Sequence, residues 1–405
     1  MAVGLTPPTH LLPIQGVRLS AVAAGIHYRG RADLALIDIS PGARMAAAFT
    51  RNACCAAPVT VAKRHLASCT PRFLLVNAGN ANAGTGEIGM QDALSCCRAI
   101  AELTGCDSGE VLPFSTGVIG QRLPTDRIIG ALPQALGHLD ADGWRAAAAA
   151  IMTTDTIPKG VSRTVVIDGK PIHITGIVKG AGMIRPDMAT MLAFLATDVS
   201  ASQGLLNDVL RETIAVSFNR ITVDGDTSTN DACVLIATGR SGVFVEPGNA
   251  EASAQLQAAI CDVMVKLAQA IVRDAEGATK FITITVRGAA SVDEARRTAF
   301  TIAHSPLVKT ACFASDPNWG RILAAVGRAG LAQLAIDQVE IFLDEVCVAR
   351  QGAVALDYTE AAGRQVMTKP EITIGIDLHR GSNAFHVWTS DLSYDYIRIN
   401  AEYRS

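Results

Sequence analysis

No run of like charge stands out in this 405-residue chain, where 35 Lys and Arg nearly balance 38 Asp and Glu for a net charge of -3. The basic residues are scattered, so no stripe forms along which a nucleic-acid backbone would bind. No apolar stretch approaches the roughly 20 residues that a transmembrane helix needs, and the N-terminus lacks a charged segment followed by an apolar signal core. A cytoplasmic location is therefore expected. Pro- or Ser-rich linkers, low-complexity tracts and internal repeats are all missing. The ten cysteines contain no CxxC pair, and most lie among apolar neighbours, as reduced core thiols do. The eight histidines show no HExxH or other clustered ligand spacing, so no metal site is expected. Neither Asn77-Ala78-Gly79-Asn80-Ala81-Asn82 nor the Asp224-Gly225-Asp226 loop matches a phosphate-binding pattern, and Asp231 is not followed by the closing Glu of a calcium loop. Both stretches read as turn scaffolding.

What is present is apolar content, 49% of all residues, enough for a large core in two or three compact units or one α/β assembly. Periodicity predicts strands near Leu34–Ile39 and Phe73–Val76, then helices near Gln91–Leu103 (closed by Gly105), Asp126–Leu136 and Trp144–Met152. Arg163 to Ile177 reads as a hairpin turning at Asp168-Gly169. Downstream, helices are expected near Leu205–Val216, Ala252–Val272, Val292–Thr298 and Arg321–Val326. Strands are expected near Ala232–Ala237, Phe281–Val286, Gln338–Leu343, Ile372–Leu378 and Ala384–Trp388, the last two joined across Arg380-Gly381-Ser382. The fold class is α/β, with helices packed on sheets.

The most informative segment is Lys179-Gly180-Ala181-Gly182-Met183-Ile184-Arg185-Pro186-Asp187-Met188-Ala189-Thr190-Met191-Leu192. Its glycines permit backbone angles closed to other residues, Pro186 stiffens the approach, and a buried strand follows. Taken alone, this is a structural loop that opens a core strand. If the Ala189-Thr190 bond breaks, however, Thr190 gains a free α-amine beside its own hydroxyl, a nucleophile with a built-in base. The amine's reference pKa near ~8 lets it accept a proton at physiological pH, unlike a Lys near ~10.4.

This segment resembles the self-cleavage site of the ornithine acetyltransferase family, position for position. Similar stretches run in the same order through Asn77–Gly86, Ser115–Gly120, Met152–Thr156, Ser217–Asp231, Arg273–Lys280, Ser315–Arg321 and Ile399–Tyr403. The chain ends in Arg404-Ser405 where the family more often ends in Thr, a change that keeps the hydroxyl. The resemblance implies an αββα-type layered sandwich, similar to N-terminal-nucleophile hydrolases but with distinct connectivity, plus a smaller C-terminal α/β part. It implies an α chain of residues 1–189 and a β chain of residues 190–405, assembled as a heterotetramer of two of each. It assigns the oxyanion hole to Thr116 and Gly117, and substrate contacts to Thr153, Lys179, Thr190, Glu276, Asn400 and Ser405. Without it, Ser115-Thr116-Gly117 is an ordinary Gly turn, and Lys179 and Glu276 are charges suited to the two ends of an amino acid. Whether Thr153 or Thr154 faces the substrate is open at this stage.

The implied activity is acetyl transfer from N2-acetyl-L-ornithine to L-glutamate through an acetyl-Thr190 intermediate, in arginine biosynthesis. No cofactor is needed, because the donor carries its acyl group as an amide; acetyl-CoA is a second donor in some members. Two rivals are an aminopeptidase or amidohydrolase that sends the acyl-enzyme to water, and an uncleaved metabolite-binding protein.

Overall fold

The computed structural model describes residues 2–185 and 191–403. They form two compact units, one of residues 7–219 and 227–271, the other of residues 2–6, 220–226 and 272–403.

In the first unit the strands are β1 (Val17–Val22), β2 (Leu34–Ile39), β3 (Arg44–Phe49), β4 (Phe73–Asn80), β5 (Val111–Val118), β6 (Lys159–Ile167), β7 (Lys170–Lys179), β8 (Leu192–Thr197), β9 (Ser200–Ala201), β10 (Ala232–Ala237) and β11 (Phe244–Val245). The helices are α1 (Ala57–Ser68), α2 (Gly86–Thr104), α3 (Thr125–Gly137), α4 (Trp144–Ala150), α5 (Gln203–Val216) and α6 (Ala250–Arg273). One sheet has the order β1-β2-β4-β5 and the other β3-β10-β8-β7-β6. Alternating side chains put Ile37, Val76 and Phe114 of the first sheet against Ile177, Phe194 and Val234 of the second. Phe114 and Phe194 meet edge to face, with ring centroids 5.1 Å apart. The other face of the first sheet buries Leu36, Leu75 and Val111 under Ile100, Ile128 and Leu132 of α2 and α3. On the far side of the second sheet, the space beside Gly176 is filled by Leu195 and by Leu267 of α6. The layers run helix, sheet, sheet, helix, as expected.

Helix α6 corrects one expectation, since its 24 residues are long and apolar enough to cross a membrane by length and composition. Leu256, Ile260, Val263 and Leu267 are completely buried in the protein, so that apolarity serves a core. The β6–β7 turn falls at Asp168 (φ 50°) and Gly169 (φ 73°), as read from the Asp-Gly pair.

The second unit contains β12 (Phe281–Ala289), β13 (Glu340–Leu343), β14 (Val346–Arg350), β15 (Ala353–Val354), β16 (Glu371–Asp377) and β17 (Asn383–Ser390). Its helices are α7 (Val292–Ala303), α8 (Pro306–Phe313), α9 (Trp319–Gly327), α10 (Glu360–Met367) and α11 (Tyr394–Ala401). The sheet order is β15-β14-β13-β16-β12-β17. The turn at Arg380-Gly381-Ser382 therefore does not make a paired hairpin, because β12 lies between β16 and β17, parallel to one and antiparallel to the other. The strand expected from Gln338 starts at Glu340, after a short 3₁₀ turn over Ile336–Gln338.

Leu36 tests the packing of the first unit, because it is completely buried between β2 and the helices above it. Leu36→Ala should lower stability by about 3 kcal/mol, within the range for cavity-forming core substitutions, measured by urea unfolding.

Candidate active site

Strand β7 ends at Lys179, and its register against β8 aligns Lys179 with Leu192, a residue of the core between the sheets. Side chains aligned across a sheet share a face, so Lys179 reaches toward β5 of the opposite sheet. Its Nζ donates to Thr116 Oγ1 at 3.1 Å and to Thr153 Oγ1 at 2.9 Å. Three expected site residues from separate stretches of chain thus meet at one ammonium. Thr153, rather than Thr154, is the hydroxyl that faces Lys179.

Gly117 follows Thr116 with φ at +134°, a conformation that side-chain-bearing residues rarely adopt. A Cβ there would lie 2.5 Å from the Asn80 nitrogen, so the close passage of β5 over β4 requires glycine on steric grounds as well. The β4–β5 ladder shifts register at Gly79 and Asn80 beside this point, and such an irregularity next to a ladder end re-aims backbone groups. Amides hold the irregular backbone. Ser115 Oγ donates to Asn77 Oδ1 at 2.6 Å, Asn77 Nδ2 to the Asn80 carbonyl at 2.8 Å, and the Asn82 N–H to Asn80 Oδ1 at 2.8 Å. The Asn77–Asn82 stretch is scaffolding, as its composition suggested.

Asp155 was not singled out from the sequence, yet it organises this corner. Its carboxylate accepts from Lys159 Nζ at 2.6 Å, from the Gly180 N–H at 2.7 Å and from the Thr153 N–H at 3.0 Å. Burial alone would raise its pKa, but the charges of Lys159 and Lys179 and the hydrogen bonds from Lys159 and Gly180 outweigh it and hold the carboxyl well below the usual carboxylate range. One ionised group thereby ties Thr153 to the start of the 180–185 segment. Asp231, at the head of β10, is affected in the opposite direction. Burial pushes its carboxyl well up, against the lowering effects of the Ser228 hydroxyl and Lys179.

Glu276 and Asn400 belong to the second unit and meet there. Asn400 Nδ2, on α11, donates to Glu276 Oε2 at 2.7 Å and to the Tyr396 carbonyl at 2.9 Å. Gly277, next to Glu276, passes close to α11, and its carbonyl accepts from Ser393 Oγ at 2.6 Å. Ala189, Thr190 and Ser405 lie outside the described residues. Among the described residues no group of three or more His, Cys, Asp or Glu is placed to hold a metal ion.

Comparison with known proteins gives a match of residues 18–405 to the ArgJ family. The arginine biosynthesis bifunctional protein ArgJ of Methylococcus capsulatus is 59% identical over 396 residues, covering 98% of this chain and 97% of that protein. The ArgJ of Pseudomonas syringae pv. tomato is 53% identical over 409 residues, covering the whole of both. Among solved structures, the arginine biosynthesis bifunctional protein of Bacillus halodurans is similar with a TM-score of 0.48 and 36% identity, over 51% of this chain and 96% of that one. Ornithine acetyltransferase of Mycobacterium tuberculosis complexed with ornithine has a TM-score of 0.38 and 33% identity, over 44% and 94% of the respective chains.

Proposed function

The chain belongs to the ArgJ family, making it an acetyltransferase of arginine biosynthesis, and on that premise we propose how its own residues carry the transfer. The chain cleaves itself between Ala189 and Thr190, and the new N-terminal Thr190 is the nucleophile. Its Oγ adds to the acetyl carbonyl of N2-acetyl-L-ornithine while its α-amine takes the hydroxyl proton. The Thr116 hydroxyl and the Gly117 N–H meet the oxyanion. Collapse breaks the amide C–N bond, the α-ammonium returns the proton to the departing ornithine amine, and acetyl-Thr190 remains. The amine of L-glutamate then attacks this ester, giving N-acetylglutamate and the free hydroxyl.

The observation that carries this reading is the pair of hydrogen bonds from Lys179 to Thr116 and Thr153. An ammonium that donates to the Thr116 oxygen leaves its O–H free to donate and polarises it toward the substrate oxygen on which negative charge develops. Thr153 and Lys179 contact the substrate, and Glu276, Asn400 and Ser405 complete its binding, with Glu276 the natural counter-ion of an ammonium. The resulting chains, 1–189 and 190–405, stay together and form a heterotetramer of two α and two β chains. The ten free cysteines suit a reducing compartment, and we place the enzyme in the cytoplasm.

Intact mass spectrometry of purified protein, paired with an assay of acetylornithine and glutamate without coenzyme A, tests the reading. Two fragments meeting at Ala189-Thr190, with acetylglutamate formed, are expected. A single inactive chain of 42.4 kDa would overturn it. Acetate released without an acceptor would make the enzyme a hydrolase, and acetyl-CoA assayed in parallel shows whether it also serves as donor.

A further inference from the structure

Asn230 precedes β10 in the five-stranded sheet, and its side chain reaches across to β5 at the edge of the other sheet. Its Nδ2 donates to the Ala81 carbonyl at 2.6 Å and to the Ser115 carbonyl at 2.9 Å, while its Oδ1 accepts from Thr229 Oγ1 at 2.5 Å. Both partners of Nδ2 are carbonyls, which only accept, so the orientation of the amide follows from its surroundings. The residue is 5% exposed, and every polar atom of its side chain is used.

The base from which Asn230 reaches is itself anchored. The Thr50 N–H donates to the Asp231 carbonyl at 2.9 Å, the Ala56 N–H to the Thr229 carbonyl at 3.0 Å, and Thr50 Oγ1 to the Ser228 carbonyl at 2.8 Å. At the far end, the Ser115 carbonyl belongs to the peptide that leads into Thr116. The Ser115 side chain is held separately through Asn77. The turn is thus gripped at two points, one within its own sheet and one from the opposite sheet.

We propose that Asn230 is the positioning residue of the oxyanion turn, fixing through the Ser115 carbonyl the peptide that leads into Thr116, and so the direction in which the Thr116 hydroxyl and, one peptide further on, the Gly117 N–H project. This rests on the oxyanion role of Thr116 and Gly117 given above. Asn230 touches no reacting atom; it acts through Thr116 and Gly117. Its loss therefore falls on the transition state and leaves substrate binding largely intact.

The test is a double-mutant cycle on the self-processed enzyme, with cleavage of each variant checked by intact mass and kcat and KM measured for acetylornithine on the cleaved fraction. Asn230→Ala should lower kcat on the order of 100-fold, the cost of about an ångström of misplacement, with KM changed less than about 3-fold. Thr116→Ala should lower kcat by roughly 100- to 1000-fold. Adding Asn230→Ala to Thr116→Ala should then cost clearly less than it costs alone, because one of the two groups it positions has gone and only the Gly117 N–H remains to be misplaced. An equal cost in both backgrounds would overturn the inference and leave the oxyanion assignment standing. A Thr116→Ala enzyme as fast as wild type would instead overturn the assignment. Asn230→Asp gives an independent readout if the alanine variant does not fold. A neutral acid can donate to a carbonyl and a carboxylate cannot, so its rate relative to wild type should fall as pH rises. A ratio flat with pH contradicts the proposal.

Discussion

Thr190→Ala is expected to yield a single 42.4 kDa polypeptide with no acetyltransferase activity, because in the proposed mechanism one residue supplies the nucleophile for both reactions. In the uncut chain the Thr190 nitrogen is an amide without basicity, so the hydroxyl has no internal base until the bond is broken. Alanine removes the hydroxyl proposed to attack the Ala189 carbonyl, and with it the amine that cleavage would liberate. The two losses are coupled, and separating them is the informative step. Thr190→Ser keeps a hydroxyl and should process, whereas Thr190→Ala should not; intact mass reads cleavage and acetylglutamate formation reads transfer. Rate losses for a removed covalent nucleophile reach the order of a million-fold, which here means activity at the detection limit. Normal processing of Thr190→Ala would refute the assignment at once.

How much was legible in advance differed by element. Strands β2 and β10 were found with their limits because β10 is a continuous apolar run of six residues and β2 is one interrupted only by Asp38, and all twelve residues are buried in the fold. The β6–β7 hairpin was found because Asp-Gly marks a turn whose left-handed angles few other pairs accept. Strand β3 and helix α1 were not found, for a common reason. Arg44–Phe49 is rich in alanine, which carries little strand preference, and Ala57–Ser68 mixes Val and Thr into a helix; tertiary packing overrides propensity in both. The insertion of β12 between β16 and β17 is a matter of long-range pairing, and no local signal announces it.

The candidate site divides in the same manner. Thr116, Gly117, Thr153 and Lys179 were named from motif resemblance, and the first unit brings Thr116, Thr153 and Lys179 to hydrogen-bonding distance. Glu276 and Asn400, more than a hundred positions apart in the chain, were likewise named and do pair. Asp155 and Asn230 were passed over, although both lie inside quoted stretches, Met152–Thr156 and Ser217–Asp231. Neither touches the expected chemistry directly. A buried carboxylate that accepts backbone N–H groups, or an amide that grips two carbonyls, is recognised by its partners, and only the folded chain reveals them.

Asp155→Asn should be the most destabilising single change at the site, by about 3–5 kcal/mol at neutral pH, as expected when one partner of a buried ion pair is removed. The Asp155 and Lys159 side chains are both completely buried, 2.6 Å apart. Asparagine keeps one acceptor oxygen but no charge, so the Lys159 ammonium stays desolvated without the carboxylate that offsets its burial. The pH dependence follows from the direction of the shift. The folded carboxyl lies below the ~3.9 of an unfolded Asp, so the folded state binds this proton less readily than the unfolded state does. The contribution of Asp155 is therefore fully present above about pH 5 and is lost as pH falls below ~4 toward the folded value. Urea unfolding at pH 7 and at pH 3.5 should show a wide gap between wild type and Asp155→Asn at the first and a narrower one at the second. Because the same carboxylate accepts from the Gly180 N–H, the variant should also cleave more slowly than wild type under conditions where both are folded. A variant as stable as wild type at pH 7 would mean that Lys159 finds full compensation elsewhere, and Asp155 would lose its place as the organiser of this corner.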